Sequence, residues 1–532
     1  MKKLMSVVLA LAMIFTAVIP SFAAGAQENY VTIYVEGYGG PIVDANGEYI
    51  WYNGPKESML TGLTAVLDKI LDDLAFGALT GDYTEYCDSL YNAMAPAFAE
   101  LKLDKNGEAS DGSGLGFDML TKGYSVNYNH YSTGSIDFRY DWRLSSEYNA
   151  EILEAFIDRV CAEKGYSKVN LVGRCLGGNL ISAYLENAEN LDKINDVVMY
   201  IPSTEGVDFI GALFSGQVVL DGDAIDNFVS GGSMKNNDIV SGLLGDDSLY
   251  EALTVIVNFI NEVYVLDFGT DIIEAILEEV KDNVLARIVR DTYGSFVGYW
   301  NMVPAEYLEN AIAFVYNTPE LQTEYAGMIE KIRSFHENVQ LTTRDTMLAL
   351  ADDGMDFMVI SKYNLANLPL SKDATAQSDG TALTSATSFG ATTAVFGETL
   401  SAKYIAEMTE ENKKYLSADT MIDASTCLFP EKTWFVKNLT HGAFPSCVDS
   451  LIEAFMTSDE MTVFSDEAFP QFMNYNAEAD TLSAVEGLDD GDLIVRNTIL
   501  SKLTSFFKFF SFLIDFFQKL MSGELDLGGL LG

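Results

Sequence analysis

The chain has 532 residues, enough to bury a large core in one elaborated domain or two. Its 32 Lys and Arg against 78 Asp and Glu leave a formal charge of −46, at an ordinary apolar share of 48%. So acidic a surface argues against nucleic acid as a partner and against electrostatic docking on anionic lipid.

Met1-Lys2-Lys3 and the apolar run from Leu4 to Ile19 read as a signal peptide, residues 1–26, with small-x-small cleavage sites at Ser21-Phe22-Ala23 and Ala24-Gly25-Ala26. The run is short and breaks at Pro20, which argues against an uncleaved anchor. The mature protein is expected to be exported, extracellular or held at the cell surface. Five Cys in an exported chain imply at least one free thiol or an intermolecular bridge. A Cys427–Cys447 bridge would clamp the loop carrying His441, but spacing does not establish pairing. The three His are scattered and no metal-ligand spacing occurs, so neither metal nor cofactor is expected.

Tyr30–Val35 reads as a strand, followed at once by Glu36-Gly-Tyr-Gly-Gly-Pro41. Such a turn is either a plain glycine turn or a close approach of backbone to ligand, with Tyr38 and Gly39 as N–H donors. Asp44-Ala-Asn-Gly47 reads as a turn. Amphipathic helices are expected over about Met59–Phe76 and Tyr83–Leu101, then a polar loop from Asp104 to Gly116. Ser135–Tyr140 alternates as a strand and ends in Asp141-Trp142-Arg143. A helix follows over about Ser146–Glu163.

Lys168–Val172 is an apolar run suited to a buried parallel strand, and Leu176 onward turns to helical periodicity. Between them lies Gly173-Arg-Cys-Leu-Gly-Gly178. Residues without a Cβ on both sides of Cys175 allow a sharp, strained turn in which strand and helix pass closely. The helix N-terminus would favour the thiolate, and the Leu176 N–H would face a developing oxyanion. The plain alternative is a small buried Cys in an ordinary turn.

This stretch resembles the nucleophile elbow of the α/β-hydrolase superfamily, with Cys175 where Ser usually stands. Tyr140-Asp-Trp-Arg143 resembles the lecithin:cholesterol acyltransferase-like branch; its expected role is structural, Asp141 and Arg143 pairing while Trp142 packs, rather than directly catalytic. The Gly-x-Cys-x-Gly-Gly box also resembles those of polyhydroxyalkanoate synthases and dienelactone hydrolases, which a signal peptide and a large insertion fit poorly. The resemblance implies an α/β-hydrolase fold: a mostly parallel sheet flanked by helices, with an inserted helical cap and a C-terminal amphipathic helix.

Asp196–Ile201 is the next strand. From Gly206 to Met347 the chain turns largely helical, with apolar stripes at Leu253–Val265, Ile272–Val289 and Tyr307–Tyr316, either a cap over the strand ends or a separate domain. His336 within it is expected at the surface or in packing. Strands resume at Asp356–Ser361 and Thr433–Lys437, and a helix over about Cys447–Met456 closes the core. The expected division is 27–205 and 348–460 for the core, 206–347 for the cap, and 461–532 for an extension.

His130 precedes the elbow and His336 precedes the strand expected to carry the acid, so His441, after the last strand, is the candidate base. Ser378-Asp379-Gly380-Thr381 resembles the Gly-Asp-Gly-Thr segment of the family's aspartate, with Ser replacing its first glycine. Asp423 is the alternative acid. The implied activity is an esterase, lipase or acyltransferase acting on an acyl ester or lipid through Cys175, His441 and Asp379. The alternative is a surface binding protein that kept the fold without turnover. In the tail, the Phe-rich stretch Leu503–Leu520 suits a helix lying on a lipid surface, or one docked on protein.

Overall fold

The computed structural model describes most of residues 30–494. Outside the described residues lie 1–29, 53–68, 229–277 and 495–532, and the shorter stretches 38–39, 71–72, 74–75, 78–79, 117–118, 121–122, 129–130, 189–190, 220–222, 225–226, 459 and 490. The signal segment, most of the helix expected over Met59–Phe76, the stripe Leu253–Val265, His130 and the Phe-rich tail therefore fall outside them.

Among the described residues, eight strands form the central sheet: β1 (Tyr30–Val35), β2 (Ser135–Phe138), β3 (Lys168–Arg174), β4 (Ile194–Tyr200), β5 (Asp356–Tyr363), β6 (Thr433–Lys437), β7 (Phe472–Asn476) and β8 (Thr481–Ala484). Their spatial order is β8-β7-β6-β5-β4-β3-β1-β2. Every neighbouring pair is parallel except β7 and β8 at the edge. This is the expected α/β-hydrolase architecture.

Both faces of the sheet are covered, which explains why its strands read as nearly unbroken apolar runs. Leu171, Val197, Met199, Phe357 and Val359 face one core, and their neighbours Val172, Val198, Met358 and Ile360 face the other. Helices α1 (Ser146–Lys164) and α2 (Leu176–Asn187) fill the first core, and α4 (Ser446–Met456) fills the second. Ser145 caps α1 through the Tyr148 N–H, and Gly165 ends it in the left-handed region at φ 74°.

The segment after β4 is helical where described, beginning with α3 (Asp208–Ser215) and continuing through Leu308–Val315, Ala326–Phe335 and Thr343–Asp352. Phe296, Trp300, Ile332 and Phe335 join the same core cluster as β1 and β3. His336 is buried there, its ring nitrogens 2.8 Å from the Ile332 carbonyl and 2.9 Å from that of Val303, and so it is a packing residue.

The sheet does not end where the sequence suggested. The helix α4, expected to close the core, is followed by β7 and β8, which extend the sheet by two strands. The strand expected at Asp196–Ile201 starts at Ile194 and stops at Tyr200, because Ile201 takes φ 46°. All five cysteines are free, so the suggested Cys427–Cys447 bridge is absent.

Candidate active site

From β1 the chain passes to β2 on one side, whereas from β3, on the other side of β1, it moves away through β4 and β5; the strand order reverses between β1 and β3 and opens a crevice at their C-terminal ends. Cys175 sits there, directly after β3, at φ 49° and ψ −119°. A non-glycine residue in that region is strained and is held only when its surroundings over-determine it. The restraints are visible. The Cys175 carbonyl accepts from Gly178 N–H at 2.9 Å and Ser203 N–H at 3.2 Å, and its own N–H donates to Tyr200 at 3.3 Å. Gly177 has no alternative, since a Cβ there would stand 1.9 Å from the Val35 carbonyl oxygen. At Gly178 a Cβ would meet Pro202 at 2.6 Å. On the other side Gly37 lies against the thiol, where a Cβ would come within 3.3 Å of Cys175 Cβ.

The acid and the base arrive from the loops after β5 and β6. Asp379 is almost fully buried; its Oδ1 accepts from the N–H groups of Thr381 at 3.0 Å and Ala382 at 2.8 Å. Its Oδ2 lies 2.7 Å from His441 Nδ1, and the His441 N–H donates to the Asp379 carbonyl at 3.0 Å. With Nδ1 engaged, Nε2 is the nitrogen left for the hydrogen bond between His441 and the Cys175 thiol. Asp423 is elsewhere, accepting from the Tyr404 hydroxyl at 2.8 Å and the Ser425 N–H at 2.9 Å.

The charges form a coupled set. Burial pushes the Cys175 thiol up, but the His441 charge and hydrogen bond, with the Leu176 N–H, hold it below the ordinary thiol range. Burial pushes the His441 imidazole down, yet the Asp379 carboxylate and the Cys175 thiolate raise it well above its usual value. Burial likewise raises Asp379, and His441, the Ala382 N–H and Lys362 bring it below the usual carboxylate range. All three shifts run in the direction that favours a thiolate beside an imidazolium, with a carboxylate behind the ring.

Of the three backbone groups expected to face an oxyanion, the Leu176 N–H donates to the Cys175 sulfur, while Tyr38 and Gly39 lie outside the described residues. The loop around them is nonetheless anchored on both sides. The Tyr140 hydroxyl is 2.6 Å from the Glu36 carbonyl and 2.9 Å from that of Gly37, and Trp142 Nε1 donates to Gly40 at 3.2 Å. Arg143 forks onto Asp141 at 3.0 and 2.8 Å and reaches the Leu101 carbonyl at 2.9 Å, all of it buried. The tetrad Tyr140–Arg143 thus has a structural role, and that role is to hold the loop after β1.

Two cations near the site went unremarked in the sequence. Lys362, buried within β5, donates to the carbonyls of Thr440, His441 and Ala443, each at 2.8 Å. Arg174 pairs with Glu36 at 2.9 Å. The available signal was a basic residue inside or at the end of a strand otherwise buried on both faces.

A family model described as Lecithin:cholesterol acyltransferase matches residues 119–319. That span contains β2, α1, β3 with the elbow, α2, β4 and part of the helical segment, and it ends before Asp379 and His441. Over that span the chain is similar to a lipase and acyltransferase family, on an α/β-hydrolase sheet. No curated protein matches the chain.

Proposed function

We propose that this chain is an acyl-transfer enzyme, hydrolysing or transesterifying acyl esters of the lipid class through a thioester on Cys175. The observation that carries the reading is the continuous relay from a strained thiol through His441 to a buried Asp379, with 2.7 Å between His441 Nδ1 and Asp379 Oδ2. The family match over residues 119–319 supplies the substrate class.

The Cys175 thiolate attacks the ester carbonyl, forming the C–S bond and a tetrahedral oxyanion facing the Leu176 N–H. Collapse breaks the C–O bond, and the alkoxide leaves with the proton from His441. In the acyl-enzyme the sulfur is uncharged, so the thiolate's share of the rise in the His441 pKa is gone. The imidazole then stays neutral long enough to take a proton from water or an alcohol, which attacks the thioester. The thiolate departs and the ion pair is restored. Water as acceptor gives a hydrolase, an alcohol an acyltransferase. The proposal includes export behind residues 1–26 and contact with a lipid surface through Leu503–Leu520.

The decisive measurement is iodoacetamide labelling between pH 5 and 9, with the adduct located, alongside turnover of short and long acyl esters. Cys175 in the wild type is expected to react at a rate nearly independent of pH above its lowered pKa, and His441→Ala to move that plateau to the ordinary thiol range near 8.5. Cys175→Ala should lose ester turnover. Slow, equal labelling in wild type and His441→Ala, with no turnover in either, would instead identify a binding protein.

A further inference from the structure

One largely buried cation at the elbow, Arg174, has no part in the steps above. Arg174 Nη1 donates to Glu36 Oε1 at 2.9 Å, and Nη2 lies 3.4 Å from Asp449 Oδ1. Its guanidinium carbon stands 4.3 Å from the ring centres of both Tyr34 and Phe444, a sandwich between two aromatic faces. These partners come from separate segments. Glu36 opens the loop after β1, Phe444 follows His441 by three residues, and Asp449 lies in the first turn of α4. Asp449 is fixed in turn by the hydroxyls of Tyr34 at 2.7 Å and Tyr131 at 3.2 Å. Phe444 is held by a second cation as well, Lys362, whose Nζ lies 4.5 Å from the ring centre while it holds three carbonyls of the same loop.

We propose that Arg174 is a positioning residue whose guanidinium locks the elbow, the loop after β1 and the His441 segment into one register. The inference rests on the acyl-transfer reading and adds to it the part that keeps thiol, base and oxyanion loop aligned. The chemistry requires arginine. A planar fork meets two carboxylates from different elements while its faces stack on rings, which a compact ammonium cannot do. Removing it would leave Glu36 and Asp449 as two partly buried carboxylates without their shared cation, and each would pull its loop toward solvent. A direct effect of its charge on the thiol is secondary, since burial, His441, the Leu176 N–H and Asp379 are the groups that act most strongly there.

The test uses the full chain with Arg174→Gln, Arg174→Lys and Phe444→Leu. The readouts are the pH midpoint of Cys175 alkylation by iodoacetamide, and kcat and KM on a nitrophenyl acyl ester. Arg174→Gln is expected to raise the alkylation midpoint by about one pH unit, a tenfold loss of thiolate below it. It should lower kcat on the order of tenfold to a hundredfold, as a misplacement near 1 Å does, with the smaller change in KM. Arg174→Lys should recover less than half of either loss. Phe444→Leu, which changes no charge, should move the midpoint in the same direction. A folded Arg174→Gln with the wild-type midpoint and kcat would overturn the proposal, and so would full rescue by lysine. If Arg174→Gln does not fold, Phe444→Leu decides, an unchanged midpoint counting against. Should the wild type alkylate readily yet turn over no ester, the acyl-transfer reading fails while the midpoints still judge Arg174.

Discussion

At Cys175 the choice of sulfur changes what the histidine has to do. A serine hydroxyl must give up its proton during attack, whereas in the proposed mechanism His441 holds the proton beforehand and the nucleophile attacks as an anion, the direction in which the Cys175 and His441 pKa values are shifted. The carboxylate behind the ring then has a double task, fixing the imidazole's orientation and stabilising its charge. Asp379→Asn keeps the shape and removes the charge. It is expected to lower the His441 pKa, raise that of Cys175 and cut kcat on the order of 10³-fold or more. Because the Asp379 pKa is depressed on folding, its contribution to stability is present above its unfolded value, about 3.9, and is lost as pH falls through the folded one. The variant should therefore lose stability at pH 7 and converge on the wild type in acid. Chemical denaturation at pH 7 and pH 2.5 checks this, and an unaltered difference at the two pH values would refute it. The sequence carried this residue by resemblance, Ser378-Asp-Gly-Thr381 being similar to the Gly-Asp-Gly-Thr segment of the family's aspartate; the turn in which its carboxylate accepts the Thr381 and Ala382 N–H groups is visible only in the structure. Asp423 had only its position to recommend it, and it is engaged with Tyr404.

The elements that frame the site were legible because each obeys a local rule. An apolar run, three glycines and a switch to helical period defined β3, the elbow and α2 before any contact was known. Less legible were elements whose reason is tertiary. β7 and β8 are short and polar on one side, Phe472-Met-Asn-Tyr-Asn476 and Thr481-Leu-Ser-Ala484. Only Phe472 and Met473 are buried, so neither segment carries the apolar run that marked the central strands. The Tyr140–Arg143 tetrad is intermediate: its internal salt bridge could be anticipated, but its grip on the loop after β1 could not. That grip is testable with Tyr140→Phe, which leaves the ring stacked on Phe138 at 6.1 Å and removes only the hydroxyl. A buried hydroxyl of this kind contributes about 1–2 kcal/mol of stability. Catalysis is expected to suffer more, by roughly tenfold to a hundredfold in kcat, because the freed carbonyls belong to the loop beside the thiol. Steady-state kinetics beside a thermal melt separates the two; a loss confined to stability would reduce Tyr140 to packing.

Over the whole molecule, a net charge of −46 means that carboxylates repel one another across most of the surface, and the fold must spend its few cations where repulsion is concentrated. The C-terminal edge shows the solution. Lys437 at the end of β6 is fully buried and meets Asp492 at 2.5 Å, Asp419 at 3.1 Å and Asp489 at 3.5 Å. Asp419 also accepts from the Tyr363 hydroxyl at 3.0 Å, and Asp492 Oδ1 accepts from Asn364 at 3.0 Å. One ammonium thereby joins the ends of β5 and β6 to the segment that follows β8, close in sequence to the His441 loop. Lys437→Met conserves the aliphatic stem and strands the carboxylates. Breaking a buried pair from one side costs about 3–5 kcal/mol, far more than any of the exposed lysine pairs on this surface contributes. The variant should therefore show an unfolding midpoint in urea well below that of Lys403→Met, whose salt bridge to Glu407 is 3.9 Å long and open to solvent. Equal midpoints for the two would mean that the buried carboxylates find protons or water as readily as the exposed one, and that the edge strands are held by their apolar contacts alone.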